Sequence, residues 1–102
     1  MNCVACDQPL PKAVAGIAIL VAGDEYIYRY FLCERCDVYT VDGYHDRFMG
    51  DQDEVFVLPP IARAEGDRAV ALIRACPDPM DKLCDCASHA ALYSGRVVEN
   101  PT

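Results

Sequence analysis

Four cysteines near the start of the chain have the spacing of a metal site. Two residues separate Cys3 from Cys6, and two residues separate Cys33 from Cys36. A two-residue gap lets the chain turn so that both sulfurs face one ion, and two such turns supply the four thiolates of a closed zinc site. The sequence therefore predicts a first metal site at these four cysteines. Zinc is favoured, although four thiolates also suit iron.

The chain between the two pairs must bring them together. Residues 14–21 and 26–32 are rich in aromatic and β-branched side chains, and Gly23-Asp24 between them is a turn signal. These features predict a hairpin of two strands whose ends place the cysteine turns side by side.

Two further short strands are expected after the second pair. Residues 38–41 are interpreted as a third strand closed by a tight turn at Asp42-Gly43. The acidic stretch 42–54 is interpreted as a solvated loop. Residues 55–58 are interpreted as a fourth strand, stopped by Pro59-Pro60.

The two Cys-x-x-Cys pairs and the strands between them resemble the zinc-ribbon and rubredoxin-like fold group, over about residues 1–42. Members usually have glycine in a left-handed backbone conformation directly after each pair, where this chain has Asp7 and Asp37. Aspartate tolerates that conformation better than most residues. Glu34 stands where the rubredoxin pattern usually has proline, which favours zinc over a redox iron. The resemblance implies a fold group and metal binding, without naming a function.

A second group of metal-ligand side chains lies in the segment CPDPMDKLCDCASH, residues 76–89. Cys86 and His89 are three residues apart, so they would share a helix face, and the turn at Pro77–Pro79 can direct Cys76 back towards them. Three thiolates and one imidazole form a recognised zinc set, and they also suit an iron–sulfur cluster. The predicted ligands of this second site are Cys76, Cys84, Cys86 and His89.

Two other interpretations of this segment stay open. Buried cysteines often have no chemical role, so the segment can instead be a sulfur-rich part of the core. CDCASH is slightly similar to the CDGSH-type iron–sulfur segment, but the spacings differ and that cluster is not carried over. The count favours two metal sites, because seven cysteines and His89 provide eight ligands for two tetrahedra with none left over.

The remaining pattern is helical. Residues 62–75 have helical periodicity and end before Pro77, and a second helix is predicted over about 80–93. The fold class is therefore α+β, a zinc-ribbon-like antiparallel sheet followed by a two-helix C-terminal segment with its own metal site. We expect a β part over 1–58 and a helical metal-binding segment over 59–102, packed as one compact domain.

Charge and hydropathy exclude two classes of partner. The formal net charge is −7 and the nine basic residues are scattered singly, which argues against nucleic acid because its binding needs clustered Lys and Arg. The apolar stretch 13–23 is too short to span a bilayer. The residues before it do not resemble the basic start of a signal peptide. Paired thiols without a secretion signal indicate a reducing compartment, so we expect a cytoplasmic protein.

No catalytic constellation stands out. His45-Asp46 is similar to the metal-binding dipeptide of HD phosphohydrolases, but those domains need further histidines and this chain has only His89 besides. The loop around 43–54 is instead a possible docking surface. We expect an accessory or adaptor protein, or a small subunit of a larger enzyme, that acts through a protein partner. The alternatives are an iron–sulfur or rubredoxin-type electron carrier, a metal-delivery protein and a small metalloenzyme.

Overall fold

The computed structural model describes residues 1–21, 24–46, 53–84, 86, 87 and 89. Its elements are β1 (Ala15–Val21), β2 (Asp24–Cys33), β3 (Val38–Asp46), β4 (Glu54–Val57), β5 (Ile61–Ala62) and α1 (Arg63–Ala75). The strands form one antiparallel sheet in the order β1-β2-β3-β4, and β5 pairs with the start of β3. The described residues thus form one antiparallel sheet and one helix, which confirms the α+β class, although two helices were predicted.

One face of the sheet carries the core. Successive side chains of a strand point to opposite faces, whereas register partners on neighbouring strands point to the same face. Ile17 and its partner Tyr28 therefore both lie on the buried face. The apolar side of α1 covers this face with Ala69, Val70 and Ile73. The other core side chains, from the strands and from the residue after β4, are Ile17, Ile19, Tyr26, Tyr28, Tyr30, Tyr39, Val41 and Leu58.

Gly66 sets how closely α1 approaches the sheet. Glycine lowers helix propensity, yet Gly66 lies buried in the first half of α1. A Cβ atom at this position would lie 2.0 Å from Cδ2 of Tyr39. The missing side chain therefore lets the Tyr39 ring pack directly against the helix backbone.

The prediction that the third strand ends at Asp42-Gly43 is wrong, because β3 continues to Asp46. Asp42 is buried on the strand and receives hydrogen bonds from Arg29 of β2, its register partner. The ring of Phe56 in β4 covers Gly43 so closely that a Cβ atom would lie 2.3 Å from its Cζ. Pairing on both sides keeps these residues in the sheet despite their turn-like composition.

The predicted solvated loop over 42–54 is consequently wrong for residues 42–46 and for Glu54, which belong to strands. The rest of that stretch lies largely outside the described residues. The fourth strand and the helix over 62–75 are confirmed to within a residue or two.

The second helix predicted over 80–93 is wrong for residues 80–84, where the backbone forms turns. Pro77 and Pro79 lie just before these residues and disfavour a helix. The Cys84 N–H donates a hydrogen bond to the Asp81 carbonyl at 3.0 Å, which closes a turn. Beyond Cys84 the described residues are too few to define a helix. None of the helices in the described ranges is long and apolar enough to cross a membrane.

Candidate metal centres

The first cluster forms where the N-terminal turn meets the turn between β2 and β3. Cys33 is the last residue of β2, and Cys36 lies in the turn that follows it. The four sulfurs of Cys3, Cys6, Cys33 and Cys36 lie within 4.8 Å of one another. The structure thus brings together all four predicted ligands of the first site, which we call cluster 1.

Both turns of cluster 1 close through an aspartate in left-handed conformation. Asp7 has φ 63° and Asp37 has φ 58°. Each donates its backbone N–H to the carbonyl of the first cysteine in its turn, Asp7 to Cys3 at 2.8 Å and Asp37 to Cys33 at 2.9 Å. The expectation that aspartate can take the left-handed conformation usually held by glycine is therefore confirmed. Both turns have the same backbone shape.

Thr40 fastens the N-terminal turn to the sheet. Its fully buried hydroxyl oxygen accepts a hydrogen bond from the Val4 N–H, between the two cysteines, at 3.0 Å. Sequence reasoning missed Thr40, because a threonine in a strand is ordinary and nothing in its spacing connects it to residue 4. The bond explains how a terminal segment that lies outside the sheet holds Cys3 in a buried position.

The thiols of cluster 1 cannot all ionise without a cation. Burial opposes ionisation of Cys3, but hydrogen bonds from the Ala5 and Cys6 N–H groups and from neighbouring thiols outweigh it and lower its pKa to about 6. The hydrogen bond with Cys6, together with burial, raises the pKa of Cys36 to about 12. One thiolate therefore forms at the expense of another, as expected for like charges in contact.

The second cluster forms where the chain returns past β1 after α1. The four ligand atoms of Cys76, Cys84, Cys86 and His89 lie within 4.8 Å of one another. The Sγ atom of Cys76 is 3.8 Å from that of Cys84 and 3.3 Å from that of Cys86. The His89 Nδ1 atom is 3.2 Å from the Cys76 sulfur. The structure thus also brings together the predicted ligands of the second site, which we call cluster 2.

The backbone of Ala18 holds cluster 2 against the sheet. The His89 Nε2–H donates to the Ala18 carbonyl at 3.0 Å, and the Ala18 N–H donates to the Pro79 carbonyl at 2.9 Å. Because Nε2 carries the proton, the lone pair of Nδ1 points to the sulfurs, and Nδ1 is the atom that can bind a metal. Such a second hydrogen bond is typical of metal-binding histidines.

Cluster 2 has the same uneven sharing of protons. Burial, with the neighbouring thiols, raises the pKa of Cys76 to about 11. The hydrogen bond from the His89 backbone N–H to the Cys86 sulfur is the largest cause that lowers the pKa of Cys86 to about 6. An ionised thiol is the form that ligates metals. The positive charge of a dication bound to all four atoms would therefore stabilise every thiolate in the cluster at once.

The other histidine has a different environment. His45 is buried in β3, and its ring stacks on that of Tyr26 with centroids 4.1 Å apart. Its Nε2 atom lies 2.9 Å from a carboxylate oxygen of Asp24. Among the residues that the structure describes, His45 belongs to neither cluster.

The fold and the two clusters define a small antiparallel-sheet protein whose cysteine turns are consistent with a zinc-ribbon-like motif. Comparison of the chain with protein-family models, with curated proteins and with solved structures gives no match. The function of this chain therefore has to be inferred from its own sites and surface.

Proposed function

We propose that the protein binds two structural zinc ions, one in each cluster, and acts in the cytoplasm as an accessory or adaptor protein, or as a small subunit of a larger enzyme. The observation that carries this proposal is the convergence of two separate four-ligand sets, each within 4.8 Å. The eight ligands are all the cysteines of the chain together with His89.

The distances within each cluster suit a single ion. Metal–sulfur bonds of about 2.3 Å around a tetrahedral ion set the sulfurs about 3.8 Å apart and a sulfur and an imidazole nitrogen about 3.5 Å apart. The Cys6–Cys33 and Cys76–Cys84 sulfur pairs are each 3.8 Å apart. In cluster 2 the Cys86 sulfur is 3.4 Å from the His89 Nδ1 atom.

This compactness argues against an iron–sulfur cluster. Several irons and their bridging sulfides would have to lie between the protein ligands, which would then need to be farther apart than the 4.8 Å limit observed in both clusters. A single iron with four thiolates is the remaining electron-transfer alternative for cluster 1. Cluster 2 has the three thiolates and one imidazole of a structural zinc site.

The complete ligand sets favour a structural over a catalytic role. Catalytic zinc sites keep one position for water or substrate, whereas sites with four protein ligands are closed. In a chain of 102 residues two closed zinc sites can supply folding free energy that a small core lacks. Function would then depend on the protein surface.

Metal analysis of protein purified without oxygen tests the proposal directly. We expect two equivalents of zinc and no absorption in the visible range. Cys84→Ser is expected to leave one equivalent, and Ala87→Ser, a change of an exposed neighbour that is not a ligand, is expected to leave two. Iron with inorganic sulfide, or a coloured single-iron spectrum, would overturn the zinc assignment. A total of one equivalent would overturn the second site.

A further inference from the structure

The two edges of the sheet differ in what covers them. The β1 edge is covered at Ala18 by the segment that carries cluster 2. Among the described residues, β4 pairs with β3 and with no other strand. An open strand edge presents unpaired N–H and C=O groups, which form a template for another strand.

The hydrogen-bonding pattern identifies the backbone groups of β4 that bond to no described strand. The Leu58 N–H donates to the Val41 carbonyl at 2.9 Å. Because bonded and non-bonded residues alternate in an antiparallel pair, Phe56 also bonds to β3, while the N–H and C=O groups of Val55 and Val57 point away from it. The side chains of these two valines are 74% and 48% exposed.

Val55 continues an apolar row across the sheet face opposite α1. The register places Ala18, Ile27, Tyr44 and Val55 beside one another on the four strands β1 to β4. Ile27 and Tyr44 are half-buried, and Val55 is the most exposed member of the row. A strand added next to β4 would lengthen this row by one more apolar side chain.

Carboxylates lie along one side of this apolar row. Glu25 and Asp46 are register partners on the same face of β2 and β3. Asp53 lies exposed just before β4, and its carboxylate accepts a hydrogen bond from the Tyr44 hydroxyl. Among the described residues, Lys82 forms an ion pair with this group of carboxylates, with its Nζ atom 3.9 Å from a carboxylate oxygen of Glu25.

We propose that the outer edge of β4, which no described strand covers, binds an extended, basic segment of a partner protein, which pairs as an additional strand. Apolar side chains at every second position of that segment contact Val55 and Val57, and its Lys or Arg residues face Asp46 and Asp53. A second copy of this chain fits less well, because it brings another set of carboxylates to a protein of net charge −7. The inference rests on the proposed adaptor role and specifies the partner for it.

The first experiment is a selection of random short peptides displayed on phage against the zinc-loaded protein. We expect the enriched peptides to alternate apolar residues at every second position and to have a net positive charge. Enrichment of acidic peptides, or of peptides with apolar residues at helical spacing, would overturn the proposal, and so would no enrichment above background.

Matched variants locate the binding surface of the best peptide. Val55→Lys is expected to weaken binding about tenfold or more through lost apolar contact and added charge. Leu83→Lys adds the same charge at a residue of similar exposure, 69%, in the turns that carry cluster 2 and not in β4, and its binding is expected to match the original chain. Equal binding by both variants would overturn the location of the site.

Two controls separate this inference from its alternatives. Zinc content is measured for the original chain and for each variant, so absence of zinc from the original chain with peptide binding intact would contradict the metal assignment and leave the β4 surface standing. Sedimentation without peptide tests self-association. A dimer that Val55→Lys dissociates and Leu83→Lys does not would replace the basic partner by a second copy.

Discussion

The two clusters have the same number of ligands but are attached to the fold in different ways. Cluster 1 joins two turns that lie far apart in the sequence, and one of them connects β2 to β3 at the centre of the sheet. Cluster 2 draws all its ligands from residues 76–89 and is fastened to the edge strand β1 through Ala18. We therefore expect a metal in cluster 1 to be part of the fold, and a metal in cluster 2 to organise a segment added to it.

The largest effect is expected for Cys33→Ser in cluster 1. Structural zinc supplies on the order of 10 kcal/mol in small zinc domains, which is comparable to the total stability of a typical domain, about 5–15 kcal/mol. We expect the variant to be largely unfolded at 25 °C by circular dichroism and by amide hydrogen exchange. A cooperatively folded Cys33→Ser protein would show that the sheet does not depend on cluster 1.

Cys84→Ser is the matched change in cluster 2, and we expect a much smaller effect. The variant should lose one zinc equivalent while its sheet stays folded. Loss of the two hydrogen bonds at Ala18 should lower the free energy of unfolding by about 2 kcal/mol, measured by urea denaturation. If this variant unfolds as completely as Cys33→Ser, the distinction between the two clusters is wrong.

His89→Cys separates metal ligation from attachment. The new thiol can still ligate, but it cannot donate to the Ala18 carbonyl as the His89 Nε2–H does at 3.0 Å. We expect two zinc equivalents to remain, with zinc affinity at cluster 2 lowered about 10- to 100-fold in competition with a chelating dye. Unchanged affinity would show that the bond to Ala18 does not position the ligand.

The smallest effect is expected for Tyr39→Phe, where β3 packs against α1. Burial, followed by the hydrogen bond to Asp67 (2.5 Å), raises the pKa of Tyr39 to about 12. Because the folded-state pKa is raised, this contribution to stability is complete below pH 10 and is lost as the pH rises from about 10 to 12. Tyr39→Phe should cost about 1 kcal/mol at neutral pH and should make the loss of stability above pH 10 shallower.

Asp67→Asn is the control for that assignment. It removes the carboxylate but keeps the buried ring, so the Tyr39 pKa should fall only in part, since burial is the larger cause. Absorbance titration of the tyrosinate, compared with Tyr39→Phe, measures this difference. A full return to the ordinary pKa would contradict the ranking of the two causes.

Local signals explain what could be predicted from the sequence. Some signals act on the backbone conformation of their own segment. These are the spacing of the cysteines, the aspartates that follow each pair and the aromatic strand 26–32, and the structure agrees with the conformations predicted from them. The approach of the ligands within each cluster was also foreseeable, because each tetrahedral set requires it. Their role as metal ligands stays a prediction.

The features that were missed depend on distant partners. Asp42-Gly43 has the composition of a turn, and only Arg29 and Phe56 on neighbouring strands reveal why it stays extended. The bond between Val4 and Thr40 has no signal in either segment. The division of the chain at residues 58 and 59 remains a prediction.

The attachment at Ala18 has a consequence for self-assembly. A sheet with one open edge can join one neighbour edge to edge, and growth then stops. A sheet with two open edges can add neighbours on both sides, which leads to open-ended fibres. The bonds of Ala18 to His89 and Pro79 occupy the outward N–H and C=O groups at the middle of β1, so we expect a chelator that empties cluster 2 to make a second strand edge available for pairing.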